Sequence, residues 1–359
     1  MSRAPFWAGK RVLVTGHTGF KGAWLSSWLR RLGAEPSGFA LAPSTKPSLY
    51  ADARVESVMA RSTIGDLRDA AALSRAVAEA RPEVIFHLAA QALVLPSYED
   101  PVGTFATNVI GTANLLEAVR RTPGIKVVVI VTSDKCYDNR EWHWGYREID
   151  PLGGKDPYSA SKGCTELVAA SYRHSFFPPQ AVAEHGVVLV TARAGNVIGG
   201  GDWSDHRLLP DLVRGVLAGA PVQIRHPAAT RPWQHVLDPL AGYLAVAERA
   251  WTEGTAVGEA WNFGPLDEGQ RNVGWMADRF AALWGIPADR VWTRDERSHP
   301  GESSLLKLDI SKAMDRLGWR PRWGMETALA RTVEWYRRHA EGGEAAELVS
   351  ADLDYFNAG

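Results

Sequence analysis

The stretch Arg11-Val-Leu-Val-Thr-Gly-His-Thr-Gly-Phe-Lys-Gly22 decides the fold. Residues 11–15 read as a short apolar strand. Glycines follow at 16, 19 and 22, and a helical pattern over 22–32 stops at Gly33. Gly16 permits a tight turn, Gly19 a close backbone approach, and Gly22 close packing of helix on strand. The helix N-terminus then offers N–H donors and a positive dipole end to a pyrophosphate. In this strand–turn–helix setting the triplet predicts a dinucleotide site rather than a merely structural turn.

Outward from that turn the alternation continues. Strands are expected over 34–41, 84–90, 126–132 and 187–191. Helices are expected over 69–80, 101–121 and 157 to about 177, the last with Asp156 as N-cap and Pro157 at its first position. This rhythm predicts an α/β fold, a Rossmann-type doubly wound parallel sheet with helices on both faces. Glycine and proline interrupt it after about residue 195, and residues 235–240 with the Ala-rich helix behind them return to the first unit. The expected division is a dinucleotide-binding domain of 1–195 plus about 231–258. Residues of about 196–230 and 259–359 would form a smaller mixed α/β C-terminal substrate lobe. Residues 340–349, acidic and rich in Ala and Gly, read as a loosely held tail or a last helix.

Composition narrows the function. Hydrophobic residues are 45% and charged residues 23%, as in a soluble enzyme, and the net charge of −1 argues against a broad grip on nucleic acid or anionic membrane. No apolar run is long enough to span a bilayer, and the first residues carry no signal-peptide pattern. The two cysteines, Cys136 and Cys164, suggest reduced thiols in the cytoplasm and no zinc site. His206, His226 and His235 lack ligand spacing, so no metal is expected. Fifteen tryptophans suit a stacked sugar or base as well as a core.

A second stretch, Val131-Thr-Ser-Asp-Lys-Cys-Tyr137, ends a buried strand with a hydroxyl, an acid and a base. Downstream, Tyr158 and Lys162 stand at i, i+4 and share a helical face. An ammonium and a nicotinamide charge beside a phenol favour its phenolate, which can take a proton from a sugar hydroxyl as hydride leaves carbon. Ser133 completes the set.

Together these pieces resemble the extended short-chain dehydrogenase/reductase family. The resemblance rests on the glycine turn, Asp66-Leu67 after a third strand, His87-Leu-Ala-Ala-Gln91, Asn108-Val-Ile-Gly-Thr112 and the Tyr158/Lys162 pair. It implies cofactor contacts from Gly16, Thr18, Gly19, Phe20, Lys21 and Gly22 at the turn, and from Asp66 and Leu67 at the adenine. Leu88, Ala89, Ala90, Asn108, Thr132, Tyr158 and Lys162 would line the rest. The expected cofactor is NAD. The second strand end, Phe39-Ala-Leu-Ala-Pro-Ser-Thr-Lys46, lacks the usual acid, so NADP stays open.

Within the family, Ser133-Asp134-Lys135, Arg193-Ala-Gly-Asn-Val-Ile-Gly-Gly-Gly-Asp-Trp203 and Arg231-Pro-Trp-Gln-His-Val236 resemble the CDP-glucose branch of the nucleotide-sugar 4,6-dehydratases. The dTDP-glucose branch reads Thr-Asp-Glu at the strand end. The resemblance runs from about residue 6 to about 336. It implies oxidation at C4 of CDP-glucose, elimination of water across C5 and C6, and hydride return to C6. Lys135 would be the base at C5 and Asp134 the acid at O6, an order that stays open. Substrate contacts are expected from Gln91, Ser133, Asn196, Arg207, Arg231, Arg297, His299 and Glu302. Trp142, His143 and Trp144 read as either a flap or an exposed loop. Helices 101–121 and 157–177 would pair between subunits, giving a homodimer or homotetramer. A nucleotide-sugar epimerase or another nucleotide's dehydratase would share fold and Tyr/Lys pair; a cofactor-sensing regulator would share the fold.

Overall fold

The computed structural model describes residues 4–266, 270–295 and 305–358. Seven parallel strands form one sheet: β1 Arg11–Thr15, β2 Glu35–Ala40, β3 Arg61–Ile64, β4 Val84–His87, β5 Val127–Val131, β6 Val188–Ala194 and β7 Ala260–Phe263. Their order is β3-β2-β1-β4-β5-β6-β7. The order reverses between β1 and β4, the switch point where open α/β sheets bind ligands at strand C-termini.

The β5 run Val-Val-Val-Ile-Val is buried throughout because helices cover both faces. Val127, Val129 and Val131 join one apolar cluster, and Val128 and Ile130 the other. That alternation is the two-residue period of a strand. α1 (Phe20–Arg31) buries Trp24, Leu25, Trp28 and Leu29 in the first cluster. α2 (Ala70–Ala80) buries Leu73 and Val77 in the second, with Asp69 accepting from two first-turn N–H groups.

Several expectations shift. Residues 101–121 are helical but not uniform. α3 (Pro101–Phe105) and α4 (Gly111–Arg121) are separated by a π-helical segment, Ala106–Ile110, that carries Asn108. Such a bulge re-aims side chains and is common at functional sites. The strand expected over 84–90 stops at His87, and residues 88–90 run on without strand pairing. α5 (Pro157–Ser175) and α6 (Leu237–Glu253) follow, α6 packing against β5 and β6. The boundary expected at 259 needs correction: Ala260–Phe263 pairs with Thr191–Ala194 in register and is the sheet's edge strand. Its four residues are too short for periodicity to mark them. Of the two readings of residues 340–349, the last helix holds: α7 (Ala345–Ala358) buries Leu348, Val349, Leu353 and Phe356. Trp7, Trp24, Trp28, Trp261 and Trp335 are core residues.

Candidate active site

At the glycine turn, Gly16 has φ +78, and a Cβ there would lie 2.7 Å from the Ala89 nitrogen. A Cβ at Gly22 would lie 2.0 Å from the Gly16 carbonyl oxygen. Gly19 differs: its nearest neighbour would be that same oxygen at 3.4 Å. Gly16 and Gly22 are thus demanded by the protein's own packing, while Gly19 lies open. Gly19 is also the N-cap of α1 and no side chain caps it, which leaves the first N–H groups at Phe20, Lys21 and Gly22 to a ligand. This cradle fits a dinucleotide pyrophosphate. Thr18 ties the turn to the end of β2 by donating to the Leu41 carbonyl at 2.8 Å. The segment after β4 crosses beside it, with Leu88 N–H donating to the Thr15 carbonyl at 3.1 Å and Ala89 N–H to Thr15 Oγ1 at 3.3 Å. Asp66 pairs with Arg68 at 2.6 Å, and that hydrogen bond holds its carboxyl below the usual carboxylate range. Leu67 is buried against Gly111.

The reacting groups gather one strand over. Asp156 caps α5 by accepting from Ser159 N–H at 2.9 Å, with Pro157 at the first position. This sets Tyr158 and Lys162 one turn apart, both buried. Lys162 Nζ donates to the Val131 carbonyl at 3.4 Å, which locks α5 to the end of β5. There the chain turns through Ser133. Its hydroxyl accepts from Lys135 N–H at 3.2 Å and donates to Asp134 Oδ1 at 2.9 Å. Its hydroxyl also acts on the Tyr158 phenol, opposing the rise that burial causes. Asp134 is 3% exposed, and its Oδ2 has no hydrogen-bond partner among the described residues. A Cβ at Gly195 would stand 3.0 Å from that oxygen. Lys135 is half-buried beside it.

Burial dominates the protonation of this cluster. It raises Asp134, against the pull of Lys135, Ser133 and Lys21. It lowers Lys162 to about 8. Burial, then Arg207 and Lys162, lower Lys21 to about 7. Tyr158 is pushed up to about 12 by burial, with the Ser133 hydrogen bond opposing. The lowering expected from Lys162 does not prevail, because burial of the phenol itself dominates. Lys21, Lys162 and Arg207 together make a positive wall suited to anionic phosphates. Lys21 also donates to Tyr243 Oη at 3.5 Å, a partner from α6 that nothing in the sequence marked.

Behind this layer lies a pair the sequence reading also missed. Arg193 and Glu166 form a buried ion pair at 2.8 Å. Thr132 donates to Glu166 Oε1 at 2.5 Å, Thr191 to Oε2 at 2.7 Å, and Arg193 reaches the Tyr137 hydroxyl at 2.7 Å. Thr132 therefore faces this support rather than the cofactor turn. The signal available was a charged residue at either end of apolar runs, which is common at surfaces.

The remaining candidates divide. Asn108 is buried and braces the site: its Oδ1 accepts from Gln91 N–H at 2.8 Å and its Nδ2 donates to Ser161 Oγ at 2.8 Å. Gln91 spends its side chain on its own loop, donating to the Leu93 carbonyl and Thr104 and accepting from Leu93 N–H. Arg207 lies 3.7 Å from Asp202 and acts electrostatically on Tyr158 and Lys21. Asn196 is partly buried just after β6, and its carbonyl accepts from Gln234 N–H. Arg231 lies on a two-residue strand opposite Arg271. Arg297, His299 and Glu302 fall outside the described residues. Trp142 stacks on Tyr146, which stacks on Tyr137, whereas Trp144 is exposed. Among the described residues no group of His, Cys, Asp or Glu is placed to hold a metal, and no helix is long and apolar enough to cross a membrane.

Known proteins resemble this chain in sequence and fold. Residues 13–332 match the family described as GDP-mannose 4,6 dehydratase. A CDP-glucose 4,6-dehydratase from Salmonella typhimurium is 52% identical over 98% of this chain and 98% of its own. Among solved structures, a double mutant of a dTDP-glucose 4,6-dehydratase from Streptomyces venezuelae, with NAD bound, has a TM-score of 0.75 at 26% identity, covering 94% of this chain and 99% of that one. A UDP-glucose 4-epimerase from Thermotoga maritima shares the fold, with a TM-score of 0.78 at 23% identity over 92% and 99% of the two chains. With fold, glycine cradle and Tyr158/Lys162 pair in place, the chain belongs to the GDP-mannose 4,6 dehydratase family of extended short-chain dehydrogenase/reductases.

Proposed function

We propose that this chain is a CDP-glucose 4,6-dehydratase that uses NAD as an internally recycled hydride carrier, yielding CDP-4-keto-6-deoxy-D-glucose. One observation carries the reading beyond the family: Asp134 and Lys135 follow Ser133 in one tight turn facing the Tyr158/Lys162 helix. Hydride transfer alone needs a hydroxyl at the strand end. An added acid and base supply the proton chemistry of an elimination. The 52% identity to a CDP-glucose enzyme supports the choice of nucleotide.

The glycine cradle at Gly16, Gly19 and Gly22 would hold NAD, which would supply the hydride acceptor and donor that the reaction needs. The chain's own residues do the rest. Ser133 and Tyr158 hold the sugar 4-OH, and Tyr158 takes its proton. The phenol's burial means that the positive charge of the oxidised ring, with Lys162, must favour the phenolate. The 4-ketone acidifies C5–H; Lys135 removes that proton while Asp134 protonates the departing O6. Burial raises Asp134, the direction this donation requires. Lys21 and Arg207 face the diphosphates, with Asn196 and Arg231 contributing from the second, substrate-binding part of the chain.

Exposed apolar side chains sit on α3 to α5: Val102 is 78% exposed, Ile110 56% and Leu167 59%. We assign this face to a second copy of the chain, as a homodimer or a tetramer built from it. Leu167→Glu should shift the sedimenting species to monomer; an unchanged sedimentation coefficient would remove the assignment. The expected compartment is the cytoplasm, where Cys136 and Cys164 stay reduced.

The deciding experiment incubates the purified protein with CDP-glucose and follows product mass. Loss of one water per sugar, without stoichiometric consumption of added NAD, is the expected result. Unchanged CDP-glucose would overturn the nucleotide choice, and an isomer of unchanged mass would make the chain an epimerase.

A further inference from the structure

The turn that carries Asp134 and Lys135 holds itself together weakly. It is a three-residue 3₁₀ turn, Asp134–Cys136. Its own backbone bonds are long: Cys136 N–H reaches the Ser133 carbonyl at 3.2 Å, and Tyr137 N–H the Asp134 carbonyl at 3.5 Å. Tyr137 forms an isolated β-bridge with Leu152, which lies outside any strand, so the bridge ties loop to loop. Elimination needs an acid and a base placed on two adjacent sugar carbons, and a misplacement of about 1 Å can cost ~10²-fold in rate. Contacts from outside the turn must therefore set its position.

The two ends of the turn meet at one side chain. Before it, Thr132 donates to Glu166 Oε1 at 2.5 Å, and Glu166 Oε2 accepts from Arg193 Nη2 at 2.8 Å. After it, the Tyr137 hydroxyl accepts from Arg193 Nη1 at 2.7 Å. The same guanidinium lies 4.9 Å from the centre of the Tyr137 ring, and its Nη1 also donates to the Glu148 carbonyl at 3.1 Å. Arg193 of β6 pairs in register with Asn262 of β7, and Asn262 Oδ1 accepts the Tyr137 O–H at 2.8 Å. The Tyr137 hydroxyl thus spends its donor and an acceptor site on side chains from two neighbouring strands. Thr132, Tyr137, Glu166, Arg193 and Asn262 are all buried, and β6 is paired on both sides, so the anchor itself is rigid.

We propose that Arg193 is a positioning residue for the elimination step: its guanidinium fastens both ends of the turn that carries Asp134 and Lys135. A buried ion pair does little for stability that a well-packed apolar pair would not do. What an apolar pair lacks is direction. The planar fork of the guanidinium gives one nitrogen to the Thr132 side, through Glu166, and the other to Tyr137. The chain before and after the turn is thereby set against one rigid plane borne on an inner strand. This role rests on the dehydratase reading, because oxidation at C4 alone gives no task to Asp134 or Lys135. It also singles out the step that suffers when the anchor is loosened.

Removing Arg193 would leave Glu166 unpaired, so the test loosens each end of the turn with a near-isosteric change. Tyr137→Phe deletes the hydroxyl that Arg193 grips, and Thr132→Val deletes the donor to Glu166. Thr191→Val is the control: it also removes a bond to Glu166, but from β6 rather than from the chain beside the turn. For each, kcat and KM with CDP-glucose, the unfolding midpoint and the near-ultraviolet absorbance of reduced cofactor are measured. Tyr137→Phe should lower kcat for water loss by about 10- to 10²-fold with KM little changed. Reduced cofactor should build up on it, because C4 oxidation then outpaces elimination. Thr132→Val should slow water loss as well, and the double variant should fall short of the product of the two effects, since both bonds lead to one guanidinium. Thr191→Val should lose a comparable part of the unfolding midpoint and keep wild-type turnover. An equal loss of turnover in Thr191→Val, or a Tyr137→Phe variant with wild-type turnover or with oxidation slowed as much as elimination, would overturn the role. Fully multiplicative effects would give the two ends separate anchors and remove Arg193 as their common one. A wild type that releases no water from CDP-glucose would defeat the dehydratase reading itself, and the positioning role with it.

Discussion

Two buried carboxylates lie at the C-terminal edge of the same sheet and are treated in opposite ways. Glu166 is fully partnered. Burial pushes it up, but the Arg193 charge and hydrogen bonds from Arg193, Thr132 and Thr191 outweigh burial, and its net shift is downward. Asp134 sits on the adjoining turn with one oxygen bonded to Ser133 and the other without a partner among the described residues, and burial wins. The first is held as an anion that fixes geometry; the second is a carboxyl whose burial favours its protonated form. A buried carboxylate is tolerated as an anion when every lone pair is met and is driven to take up a proton when it is not. The difference separates the scaffold of the site from its chemistry.

The comparison breaks most sharply at Asp134. Asp134→Asn keeps the shape and removes the proton, so dehydration should fall by about 10²- to 10⁴-fold. The C4 oxidation that precedes it does not need that proton. Reduced cofactor should therefore build up on the variant, visible as near-ultraviolet absorbance, and the unfolding midpoint should not fall. A variant that loses C4 oxidation as well would place Asp134 in the first step instead.

Glu166 should answer in stability instead. Arg193→Met leaves a buried carboxylate without its cation, a loss that costs about 3–5 kcal/mol. Its melting temperature should drop clearly. The double variant Arg193→Met with Glu166→Gln should recover much of the loss, because no unpaired charge remains. If the double variant were no better than the single one, the pair would be holding packing rather than balancing charge.

This contrast also explains what the sequence made legible. The glycine turn, the strand end at 131–137 and the Tyr158/Lys162 spacing are local, and local patterns are set by backbone sterics and helical period. The structure brings Tyr158, Lys162, Ser133 and Asp134 together as expected. What escaped was non-local. Glu166 meets Arg193 across 27 residues, and Lys21 meets Tyr243 across 222. The bracing by Asn108 of Gln91 with Ser161, and by Thr132 of Glu166, is likewise beyond what their local motifs carry. The edge strand Ala260–Phe263 was too short to carry a period, and the interruption at Ala106–Ile110 lies within an otherwise helical pattern.

Asp238 supplies the intermediate case. It lies in the first turn of α6, fully buried, and accepts from the Arg322 N–H at 2.6 Å and from the Trp323 N–H, yet its Oδ2 has no partner among the described residues. Two backbone donors do less than a guanidinium, and burial pushes the carboxyl up from 3.8 to about 7. The sign of the consequence follows from which state binds the proton more tightly. Between those two values the folded chain keeps a proton that the unfolded chain has released. The stabilisation is whole below 3.8 and is lost as pH rises through about 7, with a slope of at most about 1.4 kcal/mol per pH unit. Asp238→Asn cannot titrate, so denaturant unfolding from pH 5 to pH 8 should show wild type losing stability relative to the variant. Parallel curves would mean that the two N–H donors suffice to hold the anion, placing Asp238 with Glu166 rather than between it and Asp134.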